Sequence, residues 1–154
     1  MPSSADSIWF FNTRVTVRIP HTAGADTISV LEHEAPAGDS PPWHCHVNED
    51  EVFHVLRGTF RLRVGDADMT LAAGQWVLAP KGVPHSYLIT SPEGGRWLTI
   101  TSHTDFERFV RAVGRPATRS GLPDPAGPPA PAQAAEMTRI AGQFGIEILG
   151  PPLH

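Results

Sequence analysis

Two histidines one residue apart, a glutamate five positions later and a third histidine beyond two further turns stand out in this 154-residue sequence: His44, His46, Glu51 and His85. On an extended strand, residues two apart point the same way, so His44 and His46 project together and their ring nitrogens can converge. Cys45 turns to the opposite side and is not expected as a ligand. Glu51 follows a short loop and heads the next strand, where antiparallel pairing can set it beside the two imidazoles. Glu49 and Asp50 also offer carboxylates, but Glu51 shares a face with Phe53 and Val55, so the other two are read as loop charges. His85 must arrive from a separate hairpin, its approach fixed by the Pro80-Lys81-Gly82 turn and Pro84. Three neutral imidazoles and a carboxylate suit one divalent transition metal per chain: Fe, Ni, Mn, Co, Cu or Zn, among which the donor types do not choose. On an octahedral ion, four protein ligands leave two positions for water, substrate or dioxygen. Glu51 is the expected catalytic residue, a base or hydrogen-bond acceptor for a substrate hydroxyl.

The elements that must position these groups read as strands. Thr13 to Ile19 alternates with Val15, Val17 and Ile19 on one face, the period of a half-buried strand. Further strands are expected at Thr27 to Glu34, Glu51 to Arg57, Thr59 to Val64, through Met69 and Leu71, and at Gln75 to Ala79, Ser86 to Thr90 and Trp97 to Thr101. The 14 glycines and 16 prolines punctuate them as turns do in an all-β domain. Thr104 to Val113 then switches to helical spacing, with Phe106, Phe109, Val110 and Val113 on one side, a Thr104–Glu107 capping box and Gly114 as the stop. The expected organisation is a leader or arm over 1–12, a β-barrel over 13–103, a helix packed on it over 104–114, a proline-rich arm over 115–131, and a helix and tail over 132–154. The leader's Ile8 to Phe11 patch is expected to pack on the barrel or on a partner subunit.

Composition narrows the function classes. A net charge of −4 gives no basic footprint, which argues against a nucleic-acid partner. The longest apolar stretch near the N-terminus, Ile8 to Phe11, is far too short to cross a bilayer, and no secretory signal pattern is visible. With Cys45 as the sole cysteine, no internal disulfide can form, and a soluble, cytoplasmic setting is expected. His54 falls on the face opposite Glu51 and is read as a packed or interface residue. His21, His33, His103 and His154 are read as surface or loop residues.

The two histidine-bearing stretches resemble the cupin superfamily. Gly38, His44, His46, Glu51 and Gly58 meet the first cupin motif, G-x5-H-x-H-x4-E-x6-G, position by position. Gly74, Pro80, Gly82 and His85 meet the second, with Ile89 where asparagine is expected. The resemblance implies an all-β, jelly-roll-like double-stranded β-barrel with one or two short C-terminal helices, and a metal held inside by His44, His46, Glu51 and His85. Within the superfamily, the EDEVFHVLRGTFRLRVGD run, PKGVPHSY, FERFVRAVG and FGIEILGPPL resemble quercetin-dioxygenase-like single-domain members. That implies a dioxygenase acting on an enolic or phenolic aromatic, with Trp43, Phe53, Phe60, Trp76, Tyr87 and Trp97 as candidate pocket walls. The alternatives are a non-oxidative cyclase or isomerase of polyketide-type carbonyl compounds, and a small-molecule binder without catalysis. Small members of the superfamily commonly pair, so a homodimer is expected.

Overall fold

The computed structural model describes residues 6–154. Residues 1–5, the start of the expected leader, lie outside the described residues. Twelve strands and two helices follow one another: β1 (Ser7–Phe10), β2 (Thr13–Ile19), β3 (Ser29–Ala35), β4 (Pro42–His46), β5 (Glu51–Arg57), β6 (Thr59–Val64), β7 (Ala67–Ala72), β8 (Trp76–Ala79), β9 (His85–Ile89), β10 (Gly95–Thr101), α1 (Asp105–Val113), β11 (Arg115–Pro116), α2 (Pro131–Gln143) and β12 (Ile146–Pro152). They form a seven-stranded sheet of order β11-β1-β2-β3-β10-β5-β8 and a five-stranded sheet of order β12-β4-β9-β6-β7. Every pairing is antiparallel. The two sheets face each other across a core of Phe53, Val55, Phe60, Leu62, Ile89 and Trp97. This is the all-β jelly roll that the strand periodicity and the two motifs imply.

Period-two alternation does most of the positioning. On β5, Glu51, Phe53 and Val55 are buried while Val52 and His54 are not. On β10 the buried set is Gly95, Trp97, Thr99 and Thr101. Gly58, which closes the first motif, turns β5 into β6 at φ +90°, and a Cβ there would lie 2.5 Å from the Gly94 carbonyl oxygen. Only glycine meets both demands.

The ends of the chain depart from the expected organisation. Ser7–Phe10, part of the expected leader, is strand β1, paired in register with β2. Ile8 is buried in its own barrel and Trp9 on the opposite face of β1 is covered by the Arg115–Gly121 stretch, so neither is offered to a partner; Phe11 remains half-exposed. Four residues are too few to show a period, which is why β1 is hard to read from sequence. The tail likewise continues as β12, paired with β4 along Ile146, Glu147 and Ile148. The proline-rich arm lies on its own barrel. Trp9 Nε1 and Arg14 donate to the Gly121 carbonyl, and Asn12 exchanges hydrogen bonds with the Ala126 backbone.

Helix α1 begins where expected, but not by a capping box. Thr104 makes no side-chain cap. Glu107 instead accepts from the His21 N–H at 2.8 Å, Ser29 Oγ at 2.6 Å and Arg111 Nε at 3.0 Å, a stronger set of partners than one cap N–H. Burial alone would raise its pKa, yet these partners hold it below the usual carboxylate range. Replacing Glu107 with alanine strands the buried Ser29 hydroxyl and the His21 amide and is expected to cost about 2 kcal/mol, read as a shift in the urea midpoint.

Candidate metal centre

The four donors predicted from spacing do meet. One ligand atom from each of His44, His46, Glu51 and His85 lies within 4.8 Å of the others. His44 and His46 come from β4, Glu51 from the first position of β5 and His85 from the first position of β9, where it pairs in register with His44. Glu51 Oε2 stands 3.1 Å from His46 Nε2 and 3.0 Å from His85 Nε2. That is the spacing of two ligands at a right angle on one ion with bonds of about 2.1 Å. Glu51, His46 and His85 are buried, and His44 is only half-buried, which marks the side from which the cluster is approached.

The outer nitrogens of the rings are already engaged. His44 Nδ1 lies 2.6 Å from the Pro42 carbonyl, His85 Nδ1 lies 3.2 Å from the Val83 carbonyl, and His46 Nδ1 lies 3.2 Å from Glu49 Oε1. Carbonyl and carboxylate oxygens can only accept, so each Nδ1 carries a proton and each Nε2 faces the cluster. This is the outer-partner arrangement that sets tautomer and ring orientation at imidazole metal sites. The donor types and their convergence suit a divalent metal ion.

The electrostatics match. Burial pushes His46 down, but the Glu51 charge and the hydrogen bonds its ring donates to both glutamates push it up to about 10. Burial likewise pushes Glu51 up, and the His46 charge with the His46 and His85 hydrogen bonds holds it well below the usual range. Lost hydration, helped by the neighbouring histidines, takes His44 down to about 3. Without an ion, the cluster is thus neutralised around a protonated His46, whose proton an entering cation displaces.

Glu49 is not the loop charge that its place in the sequence implies. It is 1% exposed. Its Oε1 joins His46 to the N-terminus of α1 by accepting the Phe106 N–H at 2.8 Å. The positive end of the helix and the imidazole N–H favour a carboxylate there. The remaining loop residues are tied down as well: the Val47 N–H to the Gly145 carbonyl, Asn48 to Asp105, and the Asp50 N–H to Ser102. Gly145 sits at φ +66°, and a Cβ there would meet Asp105 and Asn48. A carboxylate three residues after a ligand histidine in so tight a loop was the available signal. Glu49→Gln keeps the shape and removes the charge; it is expected to weaken metal binding about 10- to 100-fold, measured by competition with a chromogenic chelator.

The aromatic residues divide. Phe53, Phe60, Tyr87 and Trp97 face the interior and touch one another, with Tyr87 4.9 Å and Phe60 5.0 Å from Trp97, ring centre to ring centre. Phe53 also meets His85 edge-on at 5.8 Å. Trp76 is 57% exposed, stacked at 3.6 Å on His54 on the outer face of the seven-stranded sheet, and cannot line the interior. Trp43 lies under the Arg63 guanidinium, on the side of β4 away from His44. Strand alternation moves both outward, because each neighbours an inward position. His33, read from sequence as a surface or loop residue, is instead buried at 4% exposure. It stacks on Trp97 and lies 2.8 Å from Thr99 Oγ1. Its neighbours on β3, Leu31 and Ala35, share its inward face, and that period was the missed signal.

Residues 30–101 match the family model described as the cupin domain. The barrel has the cupin fold. Solved structures resemble it over much of the chain. RemF, a polyketide cyclase from Streptomyces resistomycificus, is 25% identical with a TM-score of 0.51 over 58% of this chain, which spans 64% of the cyclase's length. A predicted oxalate decarboxylase from Thermotoga maritima is 18% identical with a TM-score of 0.60, covering 66% of this chain and 96% of its own. Oxalate decarboxylase from Bacillus subtilis is 17% identical with a TM-score of 0.58 over 68% of this chain and 28% of its own. No curated protein sequence matches. Among the described residues, no helix is long and apolar enough to cross a membrane.

Proposed function

We propose that this cupin is a metal-dependent enzyme acting on a small enolic or phenolic aromatic compound, with dioxygenation as its reaction. The observation that supports it is the set of three tethered imidazoles and one carboxylate around a common centre, beside an aromatic barrel interior. His44, His46, Glu51 and His85 would hold the metal, which when bound supplies Lewis acidity and a place for the substrate oxygen. Glu51, kept ionised, accepts a hydrogen bond from the substrate hydroxyl. Phe53, the aromatic ring that meets His85, offers an apolar wall against which a flat substrate can lie.

A second reading, a cyclase or isomerase of polyketide-type carbonyl compounds, is favoured by the likeness to the cyclase RemF. One experiment separates the two. The protein is reconstituted with each divalent metal in turn, incubated anaerobically with a panel of flavonols and other enols, and then given oxygen. Oxygen uptake with an oxygenated product supports the first reading. Turnover before oxygen is admitted, retained with zinc, replaces it by the second. Binding without product under every condition overturns both and leaves a binding protein.

A further inference from the structure

The outer face of the seven-stranded sheet carries a polar pocket of about 300 Å³ that the metal centre does not use. Glu32 and Glu34 of β3 point outward between the buried Leu31, His33 and Ala35, and Arg14 of β2 and Arg96 of β10 are the register partners of Glu34 on either side. Arg57 completes the row through an irregularity in the pairing. Phe53 and Val55 face inward, so strict alternation would turn Arg57 inward as well. Leu56 is instead left unpaired, Val55 sits opposite Trp97, and Arg57 falls directly opposite the outward Arg96. Bulges of this kind re-aim a side chain and are over-represented beside functional sites. On the pocket floor, the buried Ser7 and Thr16 hydroxyls bond each other at 3.0 Å. One hydroxyl proton satisfies that bond, so the other is left to donate.

We propose that this pocket binds a small molecule carrying a phosphate group. Arg14, Arg18, Arg57 and Arg96 line it against Glu32 and Glu34, an excess of two positive charges in a chain of net charge −4. A phosphate monoester carries about −1.5 to −2 near neutral pH, which matches that excess. The protein does not settle the excess itself. Glu32 is held by Arg96 at 2.7 Å and by Arg18 at 3.3 Å. Among the described residues, Arg14 donates only to the Arg119 and Gly121 carbonyls, and Arg57 reaches Glu34 no closer than 3.8 Å. Like charges directly opposite on neighbouring strands are destabilising, so the Arg96–Arg57 pair carries a repulsion that an anion between them would remove. The guanidinium forks stand around the pocket, and the spare hydroxyl proton comes from its floor. Donors arriving from outside one plane suit a tetrahedral oxyanion better than a flat carboxylate.

Titration of the full chain with inorganic phosphate and with glycerol phosphate, at an ionic strength held constant with sodium chloride, tests this. The readout is the NMR signal of each arginine Nε–H. Saturable shifts are expected at Arg14, Arg57 and Arg96, and none at Arg61, which lies on the other sheet in its own pair with Asp68. Arg57→Gln is expected to weaken binding about 10-fold, the loss of one charge-assisted contact. Succinate, a dianion without a tetrahedral group, should bind more weakly than either phosphate probe. No saturable binding of either phosphate probe overturns the proposal, as does succinate bound equally tightly. So does phosphate binding that both Arg57→Gln and Arg96→Gln leave unchanged; an Arg57 that serves only its pair with Glu34 would show itself that way, with lowered urea stability instead. Phosphate captured by a metal ion at the histidine cluster would be indifferent to Arg57→Gln, so the result stands apart from the proposed enzyme activity.

Discussion

His46→Ala is expected to remove metal binding at stoichiometric concentrations and with it all metal-dependent turnover. Of the four donors, His46 is the one whose replacement disturbs most. Its Nε2 stands 3.1 Å from Glu51, and its Nδ1 is the handle by which Glu49 holds the ring. Removing it costs one ligand and leaves two buried carboxylates, Glu49 and Glu51, without their shared cation. Breaking a buried charge pair by removing one partner costs about 3 to 5 kcal/mol, so the metal-free variant should also unfold at markedly lower denaturant. The two losses can be told apart. Adding metal stabilises the wild type by mass action, since an ion that binds only the folded state raises the midpoint with its concentration. The variant should show no such rise. Elemental analysis after dialysis, with thermal melts in metal and in chelator, reads both effects. If the wild type gains no stability from any divalent metal, the cluster is a hydrogen-bonded ion group and not a metal centre.

The legible part of this protein is the part where sequence spacing and geometry are the same thing. Two apart on a strand means one face, so His44 with His46, and Phe53 with Glu51, follow from the sequence directly. The strands at Thr13–Ile19, Glu51–Arg57 and Thr59–Val64 have the bounds that their alternation gives. What could not be read depends on contacts distant in sequence. Glu49 looks like one more acid in Asn48-Glu49-Asp50 until α1, which begins 56 residues later at Asp105, sets its first turn against it. Thr104 and Glu107 have the spacing of a capping box, but Glu107 finds Ser29 and His21 first. Residue type alone places Trp43 and Trp76 with the interior aromatics, but their strand parity turns them outward. β12 is broken by Gly150 and ends in two prolines, so its alternation does not announce itself, yet it covers the open edge of β4, the strand that carries two of the four candidate ligands.

That last point changes how the C-terminal third is understood. The stretch matching the cupin domain ends at residue 101. Beyond it, Ser102, Asp105, the Phe106 N–H and the Gly145 carbonyl each hold one residue of the Val47–Asp50 loop between His46 and Glu51, two of the four candidate ligands. A loop with every residue anchored holds His46 and Glu51 in place, which would lower the ordering cost of binding an ion there. The helices and the final strand therefore act as a buttress for the centre and not as an appendage.

The acid limb of stability should carry the signature of one further buried histidine. Burial takes His33 down to about 4, against the opposing pull of Glu51 and Glu32. It is 4% exposed, stacks on Trp97 and shares a hydrogen bond with Thr99, so its charged form is poorly hydrated. Above about pH 6.5, the ordinary value for an exposed imidazole, folded and unfolded chains both hold His33 neutral, and its contribution is fully present. As pH falls below that value the unfolded chain binds the proton first, so stability declines at about 1.4 kcal/mol per pH unit. The loss ends near pH 4, where the folded form also protonates, after a total on the order of 3 kcal/mol. His44, pushed down to about 3, adds its own slope in the same window, so the raw curve of the metal-free protein cannot isolate either residue. The difference curve can. His33→Gln, with an amide in place of the imidazole, should flatten the slope between pH 6.5 and 4 by one proton's worth. Below that window the two curves should run parallel, because the carboxylates that titrate there are common to both. Urea unfolding of wild type and variant at closely spaced pH values, in chelator, measures this directly. Parallel curves through the whole window would mean that His33 reaches solvent when it protonates, and that the barrel interior opens at low pH.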